Sequence, residues 1–285
     1  MKTIEKIKNS IRAYIIGDAL GVPFEFQNPT KFNCVGFSKG GYHNQPIGTW
    51  SDDTSILLCL IDALSIKTNN MMDVFNKMRD NLKDWYHNKG FNAGEGLFDI
   101  GSQTSSSIMR NGCPRTDSMG NGAMFYALPV AIYRSTKKEF VASETMSLFN
   151  FFSLFTHNNP NCFKFGGNYC CLLEKLLRAL PQENIKFDFS VDSYQNRGDV
   201  INTYNLILDN YLKLRTKSST LKEDLCNVVN LGFDTDTNAA LFGALMGIHK
   251  EVDIEDWKQV RKYREIDKLI DNFVNSLTME YIKDV

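Results

Sequence analysis

"GFDTDTNAALFGALMG", residues 232–247, decides how the chain is read. Asp234 and Asp236 alternate around Thr235, and an apolar run follows at once. From Ala239 to Met246 almost no polar face is left, so the pattern predicts a helix buried on nearly every side. Gly243 and Gly247 stand four residues apart, which in a soluble chain reads as a close helix–helix approach and not as a membrane motif. A helix in the interior also begins near the interior, where two aspartates are costly unless something compensates them.

A second stretch has the same form. "TWSDDTSILLCLIDAL", residues 49–64, places Asp52 and Asp53 before another apolar run. Helix capping explains part of this, since Ser, Thr and Asp are good N-caps and acids suit the positive end of a helix. A cap needs one acceptor, however, and each cluster offers several. In an extended approach to the helix, Asp234 and Asp236 point the same way. If the two helix starts meet, Ser51, Asp52, Asp53, Asp234, Asp236 and Thr237 form an all-oxygen cage. Mg²⁺ suits such a cage, Mn²⁺ is a possible substitute, and the number of ligands is enough for two ions.

Composition narrows the function classes. The 285 residues carry 32 basic and 33 acidic side chains, without the basic excess of a nucleic-acid binder. The four histidines (His43, His87, His157 and His249) have no zinc-hydrolase spacing. The seven cysteines are scattered without a C-x-x-C pair, as reduced thiols in a cytoplasmic protein would be. The N-terminal "MKTIEKIKNSIRAY" is amphipathic, unlike a signal peptide, and no apolar run reaches the roughly 18 residues that span a bilayer. No membrane association is expected, and a monomer is the default.

Helical periodicity recurs over residues 2–20, 54–66, 71–88, 122–135, 138–156, 167–180, 199–215, 219–230 and 237–250, with a helical tail at about 255–282. Segments 26–50, 88–121 and 181–198, rich in Gly, Asn, Ser and Pro, read as loops. Period-2 alternation is scarce. The expectation is an all-α fold in a single domain, residues 1–285.

Six motifs, in order from Gly17 to Gly247, resemble those of the ADP-ribosylglycohydrolases: "GDALGVPFE" (17–25), "SDDT" (51–54), "FDIGSQT" (98–104), "GNGAMFYALP" (120–129), "THNNP" (156–160) and the opening stretch. The resemblance implies a compact orthogonal multi-helix bundle with two Mg²⁺ ions in a cleft, and removal of ADP-ribose from a modified side chain. It implies metal ligation by Ser51, Asp52, Asp53, Asp234, Asp236 and Thr237, with Ser51 standing where the family has Thr. Glu25 matches a carboxylate beside the metals. Gly101, Gly120, Asn121 and Gly122 match contacts to ADP-ribose, His157 a residue close to that ligand, and Asp99 an acid facing the substrate in arginine-directed members. Two departures stand out: Phe125 and Tyr126 where Met-Arg is common, and Phe233 where Gly is common.

By themselves, Glu25 would be a solvated loop acid, His157 a surface or loop histidine and Asp99 an Asx-turn residue. Phe125 and Tyr126 offer a flat surface for adenine, but core packing is the simpler reading. Cleaving the anomeric bond builds positive charge on the sugar, and a carboxylate must take a proton from water; Glu25 and Asp53 are both candidates. Arginine-linked ADP-ribose is the expected substrate. The alternatives are a serine-linked or other ADP-ribosyl conjugate, an ADP-ribose-binding protein without turnover, and a two-metal phosphoester hydrolase.

Overall fold

Helix α1 (Thr3–Gly21) changes character along its length. Its first two turns are mostly half-buried, whereas every residue from Ala13 to Gly21 is buried. The structure, a computed structural model describing residues 1–94, 96–180 and 198–277, has twelve α-helices and no strand among the described residues. After α1 come α2 (Asp52–Leu64), α3 (Met71–Asn88), α4 (Ser102–Arg110), α5 (Ala127–Ser135) and α6 (Ala142–Ser153). They are followed by α7 (Pro160–Leu177), α8 (Val200–Leu214), α9 (Leu221–Val229), α10 (Thr235–Met246), α11 (Ile254–Trp257) and α12 (Tyr263–Ser276).

The most intimate packing joins α1 to α10, every residue of which is buried. Small residues make it possible. A Cβ on Gly17 would lie 2.2 Å from the Ala239 carbonyl oxygen, and one on Gly243 would lie 2.3 Å from that of Ala13. A Cβ on Gly247 would meet Asn9, and one on Gly21 would lie 2.3 Å from the Cα of Asp236. As numbers rise along α1 they fall along α10, so the helices are antiparallel with backbone nearly on backbone. The C-terminus of α1 therefore meets the N-terminus of α10.

Helix α2 docks on α1 through a buried acid. Asp18 accepts hydrogen bonds from the Ser51 N–H (2.9 Å), the Thr54 N–H (3.1 Å) and the Thr54 hydroxyl (2.5 Å). Ser51 caps the same helix by accepting from the Asp53 N–H at 3.3 Å. Two orphan donors of the first turn are thus satisfied from a neighbouring helix. Helices α5 and α6 pack on α7, α8 on α7 and α10, α9 on α10, and α12 on α2. One apolar cluster runs from Ile7 to Leu277.

The structure corrects several boundaries. Segment 88–121, read as loop, contains α4, whose "SQTSSSIMR" buries only Thr104, Ser107 and Ile108. Serine-rich sequence has weak helix propensity, which hid it. The helix expected at 167–180 begins at Pro160, with Asn159 capping it through the Asn161 N–H and Pro160 in the first turn. The helix expected at 138–156 is confined to Ala142–Ser153, and 122–135 opens as a 3₁₀ segment, Asn121–Tyr126. The tail divides into α11 and α12 around Lys262, which has φ 57°. Residues 181–197 and 278–282 of the expected elements lie outside the described residues.

Gly17→Ala tests the close approach. In an open helix this change stabilises by about 1 kcal/mol. Here the added methyl collides with backbone, so urea denaturation should show a loss of about 2 kcal/mol or more. Gly36→Ala, where a Cβ meets nothing within 4 Å, should stay within about 0.5 kcal/mol.

Candidate metal and ligand site

The two acidic helix starts meet. Thr237, in the first turn of α10, donates to Asp53 Oδ1 at 3.4 Å, joining stretches 184 residues apart. Glu25 follows a 3₁₀ turn, Val22–Phe24, that continues from α1. One carboxylate oxygen each of Glu25, Asp234 and Asp236 lies within 4.8 Å of the others. Asp52, Asp53 and Thr237 are buried, Asp236 is 1% exposed, and Asp234 is half-buried.

These acids are poorly compensated by protein. Neither oxygen of Asp236 has a hydrogen-bond donor, nor does Asp53 Oδ2. Burial drives the pKa values of Asp52, Asp53 and Asp236 well above the carboxylate range, and the neighbouring acids add to it. Burial lifts Asp234 to about 6, opposed by the Asn121 side chain, which donates to its Oδ2 at 2.5 Å. Glu25 is pushed up to about 8, mainly by burial. An oxygen-only donor set with orphaned buried carboxylate oxygens fits a hard divalent cation.

Above these acids opens a cavity of about 500 Å³. Its lining includes the acids and hydroxyl of Glu25, Asp52, Asp53, Asp234 and Thr237, together with Asp99, Gly101, Gly120, Asn121, Gly122 and His157. Ser51 and Asp236 do not form its wall, although both adjoin residues that do. Gly101 precedes α4, and Gly120 precedes the 3₁₀ segment. His157 is not a surface residue. It is 3% exposed, bonded through Nδ1 to the Thr156 hydroxyl at 2.9 Å, and burial lowers its pKa to about 4. Its neutral ring lies behind the glycine loop: a Cβ on Gly120 would come within 3.3 Å of it, and one on Gly122 within 3.1 Å. Small residues at these two glycines keep the loop backbone against the ring.

Of the two aromatics considered for adenine, Phe125 lines the cavity, whereas Tyr126 is wholly buried with its hydroxyl 3.0 Å from that of Thr156. The bulk at Phe233 is accommodated by turning outward: the residue is 42% exposed, with φ 62°. Phe26 does likewise, 57% exposed with φ 61°. The Phe26 N–H donates to the Phe233 carbonyl at 2.6 Å, and the Phe233 N–H to that of Gln27 at 2.8 Å. This pairing ties the loop after Glu25 to the loop before Asp234, and both rings line the cavity.

Three residues escaped the sequence reading. Asp18 positions α2, Gly198 (φ 60°) lines the cavity beside Asp234, and His43 contacts Glu25 at 2.6 Å and Asp99 at 3.4 Å. Burial depresses the His43 pKa, but hydrogen bonds to Asp99 and Glu25 reverse this and raise it to about 9. The glycines around "GGYHN" signalled a turn, but nothing in the spacing connected His43 with Glu25.

A model of the ADP-ribosylglycohydrolase family matches the chain over two overlapping stretches, residues 1–194 and 173–282. The chain belongs to the ADP-ribosylglycohydrolase family, a family of hydrolases. Among its ADP-ribosylglycohydrolase relatives is the ADP-ribosylarginine hydrolase Tri1 of Serratia proteamaculans (strain 568), 30% identical over 158 residues, or 52% of this chain and 42% of that protein. The ADP-ribosylarginine hydrolase Tri1 of Pseudomonas putida (strain GB-1) is 28% identical over 143 residues, or 47% and 37%. The chain thus spans less than half the length of these two relatives. A solved structure described as an ADP-ribosylglycohydrolase-related protein complex superposes with a TM-score of 0.76, covering 97% of this chain and 99% of that one. At 19% identity that likeness establishes the fold. Among the described residues, no helix is long and apolar enough to cross a membrane.

The electrostatics make a prediction for the metal-free protein. A carboxylate whose pKa is higher folded than unfolded holds its proton longer in the folded state. Stability then falls as pH rises from about 4, the ordinary carboxylate value, to about 8, where Glu25 ionises. Thermal melts in EDTA should therefore show a falling Tm across that window. Asp236→Asn should flatten the fall and match or exceed the parent at pH 8. Mg²⁺ should raise the Tm of the parent and have much less effect on the variant.

Proposed function

We propose that this protein is a divalent-metal-dependent hydrolase that removes ADP-ribose from arginine side chains, cleaving the N-glycosidic bond. The observation that carries the reading is the convergence of two remote acidic helix starts beneath a cavity walled by the Gly-Asn-Gly loop. The names of the two bacterial relatives support arginine as the linked residue. The reading also takes residues 1–285 as one domain, in keeping with the single apolar cluster.

Ser51, Asp52, Asp53, Asp234, Asp236 and Thr237 would hold two Mg²⁺ ions, with Mn²⁺ as a possible replacement. When bound, such ions neutralise the buried carboxylates, orient ribose hydroxyls and lower the pKa of a water. The protein's own groups do the rest. Backbone N–H groups around Gly101, Gly120 and Gly122 offer donors to the diphosphate, and glycine lets the backbone come close. Asn121 is fixed by the Asp234 carboxylate and by the Thr203 hydroxyl, to which it donates at 3.0 Å. Phe125 gives the cavity an apolar face. His157, neutral and buried, backs the glycine loop without adding charge.

Glu25 is the better placed of the two proton acceptors. Both line the cavity, but Glu25 has a pKa raised to about 8, near the operating pH of a general base. Asp53 lies deeper, against Thr237, and serves as a metal ligand. Asp99, at the same end of the cavity as Glu25, faces the leaving guanidine. As positive charge builds on the ribose, the surrounding carboxylates stabilise it.

The test is incubation with arginine-linked and serine-linked ADP-ribosylated proteins, with Mg²⁺ or with EDTA. Mg²⁺-dependent release of ADP-ribose from the arginine-linked protein is expected. Asp52→Ala and Asp236→Ala should lower kcat by at least about 100-fold with a cooperative unfolding transition retained. Release from the serine-linked protein alone would replace the substrate assignment. ADP-ribose binding without release would leave a binding protein, and near-parental activity in both variants would remove the metal assignment.

A further inference from the structure

His43 comes from a part of the chain that none of the acidic motifs touches, yet it contacts two acids of the cavity. Its Nε2 lies 2.6 Å from Glu25 Oε2 and 3.4 Å from Asp99 Oδ1. Placed against oxygens of two acids, Nε2 is assigned the proton and the donor role. Glu25 reaches the cavity from the end of α1, and Asp99 from the loop before α4. The imidazole is the one group seen to contact both among the described residues.

The turn that carries His43 is built to hold it. The Gly40 N–H donates to the Gln45 carbonyl at 2.8 Å, the Gln45 N–H returns to Gly40 at 3.2 Å, and Asn44 closes the turn on Gly41 at 3.1 Å. Gly41, with φ 72°, packs so closely that a Cβ would lie 2.2 Å from the Pro23 carbonyl oxygen. The turn is thereby clamped to the segment that delivers Glu25. The imidazole packs among the rings of Phe26 (5.8 Å), Tyr42 (5.1 Å) and Phe98 (5.2 Å). Glu25, Asp99 and Phe26 line the cavity, whereas His43 does not. The ring thus bears on the two carboxylates from outside the space a substrate would fill.

We propose that His43 is a positioning residue: by donating to Glu25 and reaching Asp99, it aims the Glu25 carboxylate into the cavity and fixes its spacing from Asp99. A carboxylate hydrogen-bonded through one oxygen keeps the other directed at its target, as partners behind ligating groups do in metal sites. The inference rests on the role given to Glu25 above. It adds that Glu25 is effective only in the orientation His43 imposes.

His43→Phe keeps a ring among its aromatic neighbours and deletes the donor; His43→Gln restores a donor on a side chain of similar reach. Steady-state release of ADP-ribose is measured for parent and both variants with Mg²⁺, and ADP-ribose affinity is measured by calorimetry on the same preparations. His43→Phe should lower kcat by about 10- to 100-fold, with KM and ADP-ribose affinity within about threefold. His43→Gln should recover most of the lost kcat. A kcat within twofold of the parent in His43→Phe overturns the inference, as does a His43→Gln no more active than His43→Phe. Loss of affinity together with kcat in both variants marks a structural role and overturns it too. If the parent itself releases no ADP-ribose, the functional reading fails first, a result distinct from an active parent with an indifferent His43.

Discussion

The close approach of α1 to α10 is the constraint on which the site depends. Two antiparallel helices lie backbone against backbone, with glycines removing what would separate them. Because Gly21 abuts Asp236, the end of α1 is fixed against the start of α10. Glu25 emerges from the first, and Asp234 and Asp236 from the second. Asp18, one turn before Gly21 on α1, sets the start of α2, and with it Asp52 and Asp53. One helix therefore positions three separate sources of carboxylate. Bulk anywhere along that contact would be felt at the site as well as in the core, because interiors transmit strain instead of absorbing it.

The acids so gathered are in tension with the fold that gathers them. Burial disfavours each charge and the neighbours disfavour it further, as the raised pKa values of Asp52, Asp53, Asp234, Asp236 and Glu25 record. Among the described residues, His43 is the basic side chain seen in contact with this group, and it reaches Glu25 and Asp99 rather than the aspartates below them. The unsatisfied oxygens of Asp53 and Asp236 are what a functional site looks like when its hydrogen-bonding capacity is reserved for something other than protein. A divalent cation would meet that need and would link ligand binding to stability.

A second cost is stored in the backbone. Phe26 and Phe233 both take the left-handed conformation, which is rare for bulky side chains. Each is held there by hydrogen bonds between the two loops. Such strain persists where the surroundings over-determine it, commonly at working sites. Here it joins the loop after Glu25 to the loop before Asp234 and leaves two phenyl rings at the rim of the cavity.

The sequence determined the composition of the site: two acidic helix starts, a Gly-Asn-Gly loop and a helical chain with buried helices behind them. These are local signals, legible because capping, helical periodicity and small-residue spacing act over a few residues. Even the pair Gly243 and Gly247 announced a close helix partner without naming it. The partner stripe of Ala13, Gly17 and Gly21, the docking of α2 by Asp18 and the reach of His43 to Glu25 were decided by tertiary structure. Each joins residues whose contact depends on how helices cross, and no spacing along the chain encodes that crossing. The same holds for His157 and α4. An isolated histidine and a serine-rich stretch carry weak local preferences, and packing against the glycine loop and the core settled what they became.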